Sequence, residues 1–255
     1  IAGCLNVDVD ARGYRKYWHT VGAPLRYGDL YYGVARIMVQ PTLPKGEQKR
    51  NRKIIVSIVN DLKRFALFSP CTYLNKWHLL EAEFAREMGA RFCVAMNSCG
   101  STMFVALRAC GVKPGDAVLC NGFTLAPVPG AIVHAGARAV LVEITDDLTI
   151  DLDDLARKAR DSGAGTLLLS HMRGHICDMQ RLAAICAEYG LQLIEDCAHT
   201  MGAGWNGRAT GTWGRAGCFS LQSYKHVNSG EGGLLVTDDD DVAAQAILLS
   251  GSYMF

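Results

Sequence analysis

Little in this 255-residue chain points to a highly charged or membrane-embedded partner. Its formal net charge is +1, so there is no global electrostatic attraction for nucleic acid or an anionic surface. No apolar run approaches the roughly 20 residues that a membrane-spanning helix needs, so no membrane partner is expected. The first residues, IAGCLNVDVDARG, lack the basic-then-apolar form of a secretory signal. The ten cysteines include no C-x-x-C pair, so the paired ligand spacing of a zinc site is missing and no metal is expected. There is neither a G-x-G-x-x-G after the first predicted strand nor a G-x-x-x-x-G-K-[ST], which argues against the common dinucleotide and nucleoside-triphosphate cradles. Residues 75–255 show no internal repeat, low-complexity tract or linker.

What is present is a soluble globular composition, 49% hydrophobic and 20% charged. Most cysteines sit in apolar runs such as Phe92-Cys93-Val94 and Gly217-Cys218-Phe219. They read as buried, reduced thiols, and a cytoplasmic location is the expectation. Residues 1–74 form an N-terminal extension without a functional signal. They are rich in Tyr and Trp, pass through a basic run at Lys45–Lys53, and carry helical spacing at Ile55, Ile58, Val59, Leu62 and Phe65.

From Asn75 the pattern becomes regular. Asn75 can cap a helix with Trp77, Leu80, Phe84 and Met88 on one face, ended by Gly89. Strands are predicted over 91–96, 117–120, 138–144, 166–170, 191–195, 216–221 and 233–237. Helices are predicted around 103–110, over 124–135, 151–160 and 179–189. Pro127 and Pro129 are compatible with the second of these only in its first turn. Asp151–Arg160 has an acidic start and a basic end, matching the helix dipole. Alternating strands and helices with nearly continuous apolar strands predict an α/β fold, a three-layer αβα sandwich around a mainly parallel sheet. In such folds ligands gather beyond the carboxyl ends of the strands. Ser98–Thr102, Asn121–Thr124, His171–His175, Asp196–His199 and Ser220–Lys225 all follow predicted strand ends.

Three of these clusters carry recognisable chemistry. Gly100-Ser101-Thr102 opens a helix, where unpaired N–H groups and the dipole favour an anion; taken alone, it is equally a plain Ser/Thr helix cap. Ser220 could direct a second hydroxyl to the same place. Asp196, at the end of a buried strand, needs a partner, which a protonated ring nitrogen, a salt bridge or a turn could supply. His199 shares its rim. Lys225 precedes the glycine-rich Gly230-Glu231-Gly232-Gly233 and is either an imine-forming lysine or a surface lysine beside a hairpin turn. A phosphate cradle, a carboxylate for a ring nitrogen and an imine-forming lysine have one joint explanation, a pyridoxal 5'-phosphate site.

From about Leu80 to Asp240 the sequence resembles the DegT/DnrJ/EryC1/StrS sugar aminotransferases, fold type I pyridoxal phosphate enzymes. The resemblance rests on NSCGST (97–102), Gly115-Asp116, the FT and AG of 121–136, His171 with Gly174, IEDCAHTMGA (194–203), Gly207 with Gly211, and FSLQSYKHVNSGEGG (219–233). It implies that Lys225 holds the coenzyme as a Schiff base and that Asp196 pairs with the pyridine nitrogen. His199 would lie near the phenolic oxygen. Ser101, Thr102 and Ser220, with the backbone of Gly100, would hold the phosphate, and Gln222 would lie near the lysine. Leu125 occupies the position of an aromatic that stacks on the coenzyme ring, and Arg173 stands where an aromatic is expected. The family's sites lie at a dimer interface, so a homodimer is implied. The family also continues into a smaller C-terminal domain, so residues 75–255 are expected to be a large domain truncated at its carboxyl end.

The implied reaction moves an amino group from glutamate or glutamine to a keto sugar, nucleotide-linked, or to a keto-cyclitol. Catalysis would be carried by Lys225, Asp196 and His199. Two other readings share the scaffold: a dehydratase or eliminase, and a truncated coenzyme-binding regulatory domain. Relatives that act as dehydratases replace the lysine with histidine, so Lys225 favours transamination.

Overall fold

The computed structural model describes residues 81–250, which fall within a unit spanning 78–255. The N-terminal extension, its amphipathic helix, the boundary at 74/75 and the Asn75 cap lie outside the described residues. A helix, α1, is described over 81–88 and ends at Gly89, which takes a φ of +71°. The sheet then builds from β1 (Phe92–Met96), β2 (Ala117–Asn121), β3 (Arg138–Val142), β4 (Thr166–Ser170), β5 (Gln192–Asp196), β8 (Ala216–Ser220) and β9 (Gly233–Thr237). Between β5 and β8 lies a two-strand ribbon, β6 (Gly204–Trp205) with β7 (Arg208–Ala209). The helices are α2 (Cys99–Ala109), α3 (Pro127–His134), α4 (Leu152–Ser162), α5 (Met179–Glu188) and α6 (Asp240–Ser250).

The seven strands pair in the order β1-β9-β8-β5-β4-β2-β3. Neighbours from β8 to β3 are parallel, whereas β9 runs against both β8 and β1. The sheet is therefore mainly parallel, as the alternating pattern predicts, with one reversed strand. β8 and β9 form a hairpin in which Ser220 faces Gly233 and Phe219 faces Leu234.

Side-chain alternation divides the core into two layers. Val118, Cys120, Leu168, Ile194 and Cys218 face α2, α3 and α6, packing with Met103, Leu107, Ile132 and Val242. Leu119, Leu167, Leu169 and Leu193 face the other way, against Leu155 of α4 and Met179 and Leu182 of α5. All five residues of β4 are buried, and a strand covered on both faces has no polar side to offer. Each buried leucine contributes roughly 1.5–3 kcal/mol of transfer free energy, so this period-two split holds the three layers together.

The helix ends follow sequence chemistry. The Asp151 carboxylate accepts from the N–H groups of Asp153 and Asp154 at 2.8 and 3.1 Å and opens α4. Asp178 caps α5 through the Arg181 N–H at 3.1 Å. Pro127 stands first in α3 and Pro129 two residues later, so both prolines occupy the first turn, where no intrahelical N–H bond is lost. Helix α6 and the β6–β7 ribbon were not anticipated. The signal for α6 is Asp239, whose carboxylate accepts from Asp241 and Val242 N–H at 3.0 and 3.1 Å. The eight cysteines among the described residues are all free, and all but Cys99 are buried.

Candidate active site

Because β1, β2, β4, β5 and β8 run the same way, the segments after their carboxyl ends meet on one rim. Lys225 lies in the loop that joins β8 to β9. That loop is closed by its own backbone: the Leu221 N–H donates to the Gly232 carbonyl at 2.9 Å and the Ser223 N–H to Gly230 at 3.0 Å. Gly230 takes a φ of +83°, a region costly to any residue with a Cβ. The Lys225 N–H donates to the Gln222 carbonyl at 2.9 Å, which closes a turn around the lysine.

Lys225 Nζ lies 2.9 Å from His199 Nε2. An ammonium group only donates, so Nε2 accepts and the imidazole is neutral with its proton on Nδ1. Burial, and then the charge of Lys225, hold the His199 pKa below its ordinary value, against the opposing pull of Asp196. The pair thus keeps a basic nitrogen beside the lysine.

Asp196 ends β5 and is buried. Its Oδ2 accepts from the Ser170 hydroxyl at 2.7 Å and its Oδ1 from the Ala198 N–H at 3.1 Å. Ser170 is itself fixed: its N–H donates to Asn121 Oδ1 at 2.8 Å, and its carbonyl accepts from Asn121 Nδ2 at 3.1 Å. A polar chain therefore crosses the ends of β2, β4 and β5. Cys99 Sγ lies 4.0 Å from Asp196 Oδ1. Burial, reinforced by Asp196, pushes the Cys99 thiol well above its ordinary pKa, so it remains a thiol.

The adjacent Glu195 points to the opposite face of the strand and is fully buried. Its oxygens accept from the N–H groups of Gly211, Trp213 and Gly214 at 2.9, 2.7 and 3.0 Å, and His171 Nε2 lies at 3.0 Å. Sequence reading passed over this residue, although an acid inside an apolar five-residue strand is the available signal. His171, Glu195 and Cys197 bring their ligand atoms within 4.8 Å of one another, but the glutamate's lone pairs are already taken by these donors.

At the turn into α2, the Ser98 hydroxyl accepts from the Ser101 N–H at 3.1 Å and lies 3.0 Å from Ser101 Oγ. The amides of Cys99 and Gly100 belong to the first helical turn and have no intrahelical acceptor. Thr102, expected at the phosphate, is already engaged within the turn. Its N–H and its hydroxyl both donate to the Ser98 carbonyl, at 3.0 and 2.9 Å, and the residue is fully buried. Its hydroxyl lies against the first residue of β9: a Cβ on Gly233 would lie 2.2 Å from Thr102 Oγ1. Ser220 is buried at the end of β8, with its Oγ 3.4 Å from the Gln222 N–H. The Gln222 side chain bonds Glu231 at 3.3 Å, not Lys225. Leu125 is 45% exposed beyond the end of β2.

Cys99 ties the α2 turn to Asp196, and His199 ties the Asp196 segment to Lys225. A lysine, a buried carboxylate, a neutral histidine and a helix-start anion cradle thus share one rim. Residues 69–252 match the DegT/DnrJ/EryC1/StrS aminotransferase family. The chain belongs to this family. It is 40% identical over 164 residues to the L-glutamine:scyllo-inosose aminotransferase of Streptomyces griseus, a match covering 64% of this chain and 38% of that protein. It is 36% identical over 171 residues to the spore coat polysaccharide biosynthesis protein SpsC of Bacillus subtilis, covering 67% of this chain and 44% of the relative. Among solved structures, DesV of S. venezuelae superposes with a TM-score of 0.62 at 34% identity, covering 65% of this chain and 45% of the other. The present chain therefore spans about half the length, or less, of these DegT/DnrJ/EryC1/StrS relatives.

Proposed function

We propose that the chain carries the coenzyme-binding part of a pyridoxal phosphate-dependent aminotransferase that moves an amino group from glutamine or glutamate to a keto sugar or keto-cyclitol. The observation that carries this reading is the 2.9 Å approach of Lys225 Nζ to His199 Nε2 on the rim that also holds buried Asp196. Family membership and the named activity of the inosose aminotransferase relative support it.

The residues fit the coenzyme's three chemical demands. The free amides of Cys99 and Gly100, with the hydroxyls of Ser101 and Ser220, would hold the phosphate, aided by the α2 dipole. The Asp196 carboxylate would face the ring nitrogen and keep it protonated, its orientation set by Ser170 and Ala198. Lys225 would attach the coenzyme through Nζ, with Leu125 against the ring. Bound there, pyridoxal phosphate supplies an electron sink next to the carbon that carries the amine.

Lys225 Nζ, once free of the coenzyme, is placed to take the carbon-bound proton of the amino donor and to return one later, as general base and then acid. His199 Nε2, neutral and within hydrogen-bond reach, accepts a hydrogen bond from that amine and holds it in place. Neither Thr102 nor the Gln222 side chain has a part in this scheme. No helix among the described residues is long and apolar enough to cross a membrane.

The test is direct. Purified protein mixed with pyridoxal phosphate should show an imine absorbance band, and borohydride should fix the label on Lys225. Glutamine supplied with a keto-cyclitol should release the corresponding 2-oxo acid. Absence of the band, or a band unchanged in Lys225→Ala, would sink the reading.

A further inference from the structure

Arg173 stands on this rim without a role in the scheme above. It lies in the turn Met172–Gly174, directly beyond the end of β4, with φ +56° and ψ 15°. That left-handed conformation is disfavoured for a residue with a Cβ. The turn is nevertheless held firmly. Its flanks are His171, buried and bonded to Glu195, and Met172, also buried. Backbone bonds from Gly174 to His171 and from His175 to Met172, both 3.1 Å, close it. Gly174 packs toward the His199 backbone, where an added Cβ would lie 3.9 Å from the His199 carbonyl oxygen. A strained backbone thus presents an exposed guanidinium on a turn that runs next to the His199 backbone.

That guanidinium has no hydrogen-bond or ion-pair partner among the described residues. Arg86, Arg91, Arg157, Arg160, Arg181 and Arg215 each meet a carboxylate. Arg108 and Arg208 donate to the carbonyls of Val112 and Thr212. Arg138 shares Arg173's freedom but begins β3, at the opposite rim. Lys225 and Arg173 both act on His199 as positive charges, with the buried Asp196 opposing them. Asp196 is buried and committed to Ser170 and Ala198. A rim of this sign focuses an incoming anion, and a guanidinium can take a carboxylate or phosphate through two parallel hydrogen bonds.

We propose that Arg173 is the anion-recognising residue of the site, binding an anionic group of a substrate, either the carboxylate of the amino donor or a phosphate borne by the keto sugar. The assignment rests on the reading that the Lys225 rim is the active site. It sets this chain's substrate choice apart at a position where the resemblance to the family implies an aromatic.

The experiment uses the full chain, wild type, Arg173→Ala and Arg173→Lys. Absorbance and borohydride labelling of Lys225 report coenzyme attachment and should be the same in all three, because Arg173 does not hold the coenzyme. Arg173 is then modified with phenylglyoxal and followed by mass spectrometry, with and without coenzyme, in the presence of glutamate or of a nucleoside diphosphate. One of the two anions should slow modification, and which one does so separates donor from sugar phosphate. In turnover, Arg173→Ala should raise KM for that partner tenfold or more with kcat within about twofold, and Arg173→Lys should recover part of the loss. A phosphate-free acceptor, or an amine donor without the carboxylate, should show no such change. The proposal is overturned if neither anion protects Arg173, or if KM rises equally for charged and neutral partners. A wild-type chain that fails to attach coenzyme instead overturns the underlying reading, and the protection assay on the coenzyme-free chain still decides the role of Arg173.

Discussion

Glu195 and Asp196 are neighbours on one strand, and their amide variants should fail in opposite ways. In Glu195→Gln one carboxylate oxygen becomes an N–H₂ group. The best accommodation puts it at Oε2, where His171 can change tautomer and accept. The Gly211 N–H, 2.9 Å away, then faces a donor. A stranded buried donor costs about 1–3 kcal/mol, and each remaining bond to the former carboxylate loses its charge assistance, roughly 1 kcal/mol apiece. The sum is about 3–5 kcal/mol, the range seen when one partner of a buried charged pair is removed. At roughly 2–4 °C per kcal/mol for a domain of this size, the midpoint should fall by roughly 6–20 °C. In Asp196→Asn the donors are the Ser170 hydroxyl, the Ala198 N–H and, weakly, the Cys99 thiol. The Ser170 hydroxyl can rotate to accept from the new amide while the Ala198 N–H keeps its carbonyl. No donor is stranded, so the stability cost should be about 2 kcal/mol, the charge assistance lost from those two bonds, while most transamination is lost. Urea unfolding followed by circular dichroism, paired with 2-oxo acid release, measures both. Equal destabilisation of the two variants, or a loss below about 1 kcal/mol in Glu195→Gln, would refute this division of labour.

Other outcomes follow from the same geometry. Ser170→Ala removes a hydrogen bond to a buried carboxylate worth about 1.5–3 kcal/mol, so coenzyme affinity or turnover should drop by about ten- to hundredfold, with Ser170→Thr restoring most of it. Thr102→Val removes the hydroxyl that bonds the Ser98 carbonyl and should leave coenzyme affinity near wild type in a fluorescence titration, whereas Ser220→Ala should weaken it several-fold; the reverse order would return Thr102 to the phosphate site. Lys225→Ala removes a charge that depresses His199, so its imidazole pKa, read by NMR, should move up toward the ordinary value. Since the folded His199 pKa lies below the unfolded one, the unfolded chain binds more protons between the two values. Stability should thus fall as pH drops from about 6.5 through the folded value, and His199→Asn should flatten that part of the profile.

Much of the fold was legible because its strands are short and dry. Thr166–Ser170 and Gly233–Thr237 were read with their observed limits, since a five-residue apolar run between turn signals has few alternatives. The caps at Asp151 and Asp178 were not read as caps, although their bonds span only two or three residues. What escaped depends on sheet order. Nothing local in GLLVT says that it runs antiparallel between β8 and β1. The burial of Thr102 follows from that strand's backbone passing beside it, so a pattern of hydroxyls at a helix start could not reveal which hydroxyl faces the rim. Glu195 was missed because its partners lie 16 to 19 residues on, in a loop whose return depends on the β6–β7 ribbon. The Lys225–His199 approach was equally invisible as a contact, although both residues were singled out by their positions after strand ends.

Gly233 has a wider reach than its size suggests. It pairs with Ser220 on one side and Met96 on the other, and there is no room for even a methyl group between it and the Ser98–Thr102 turn. The hairpin that carries the lysine and the turn that offers the anion cradle are therefore gauged against a single point of bare backbone. Their separation is a fixed calibration of the scaffold, with a tolerance smaller than one carbon atom. The segments at 122–126 and 171–175 follow other strands, β2 and β4. Gly233→Ala would act as a wedge driven between attachment and anchoring, altering both at once from a position that touches neither.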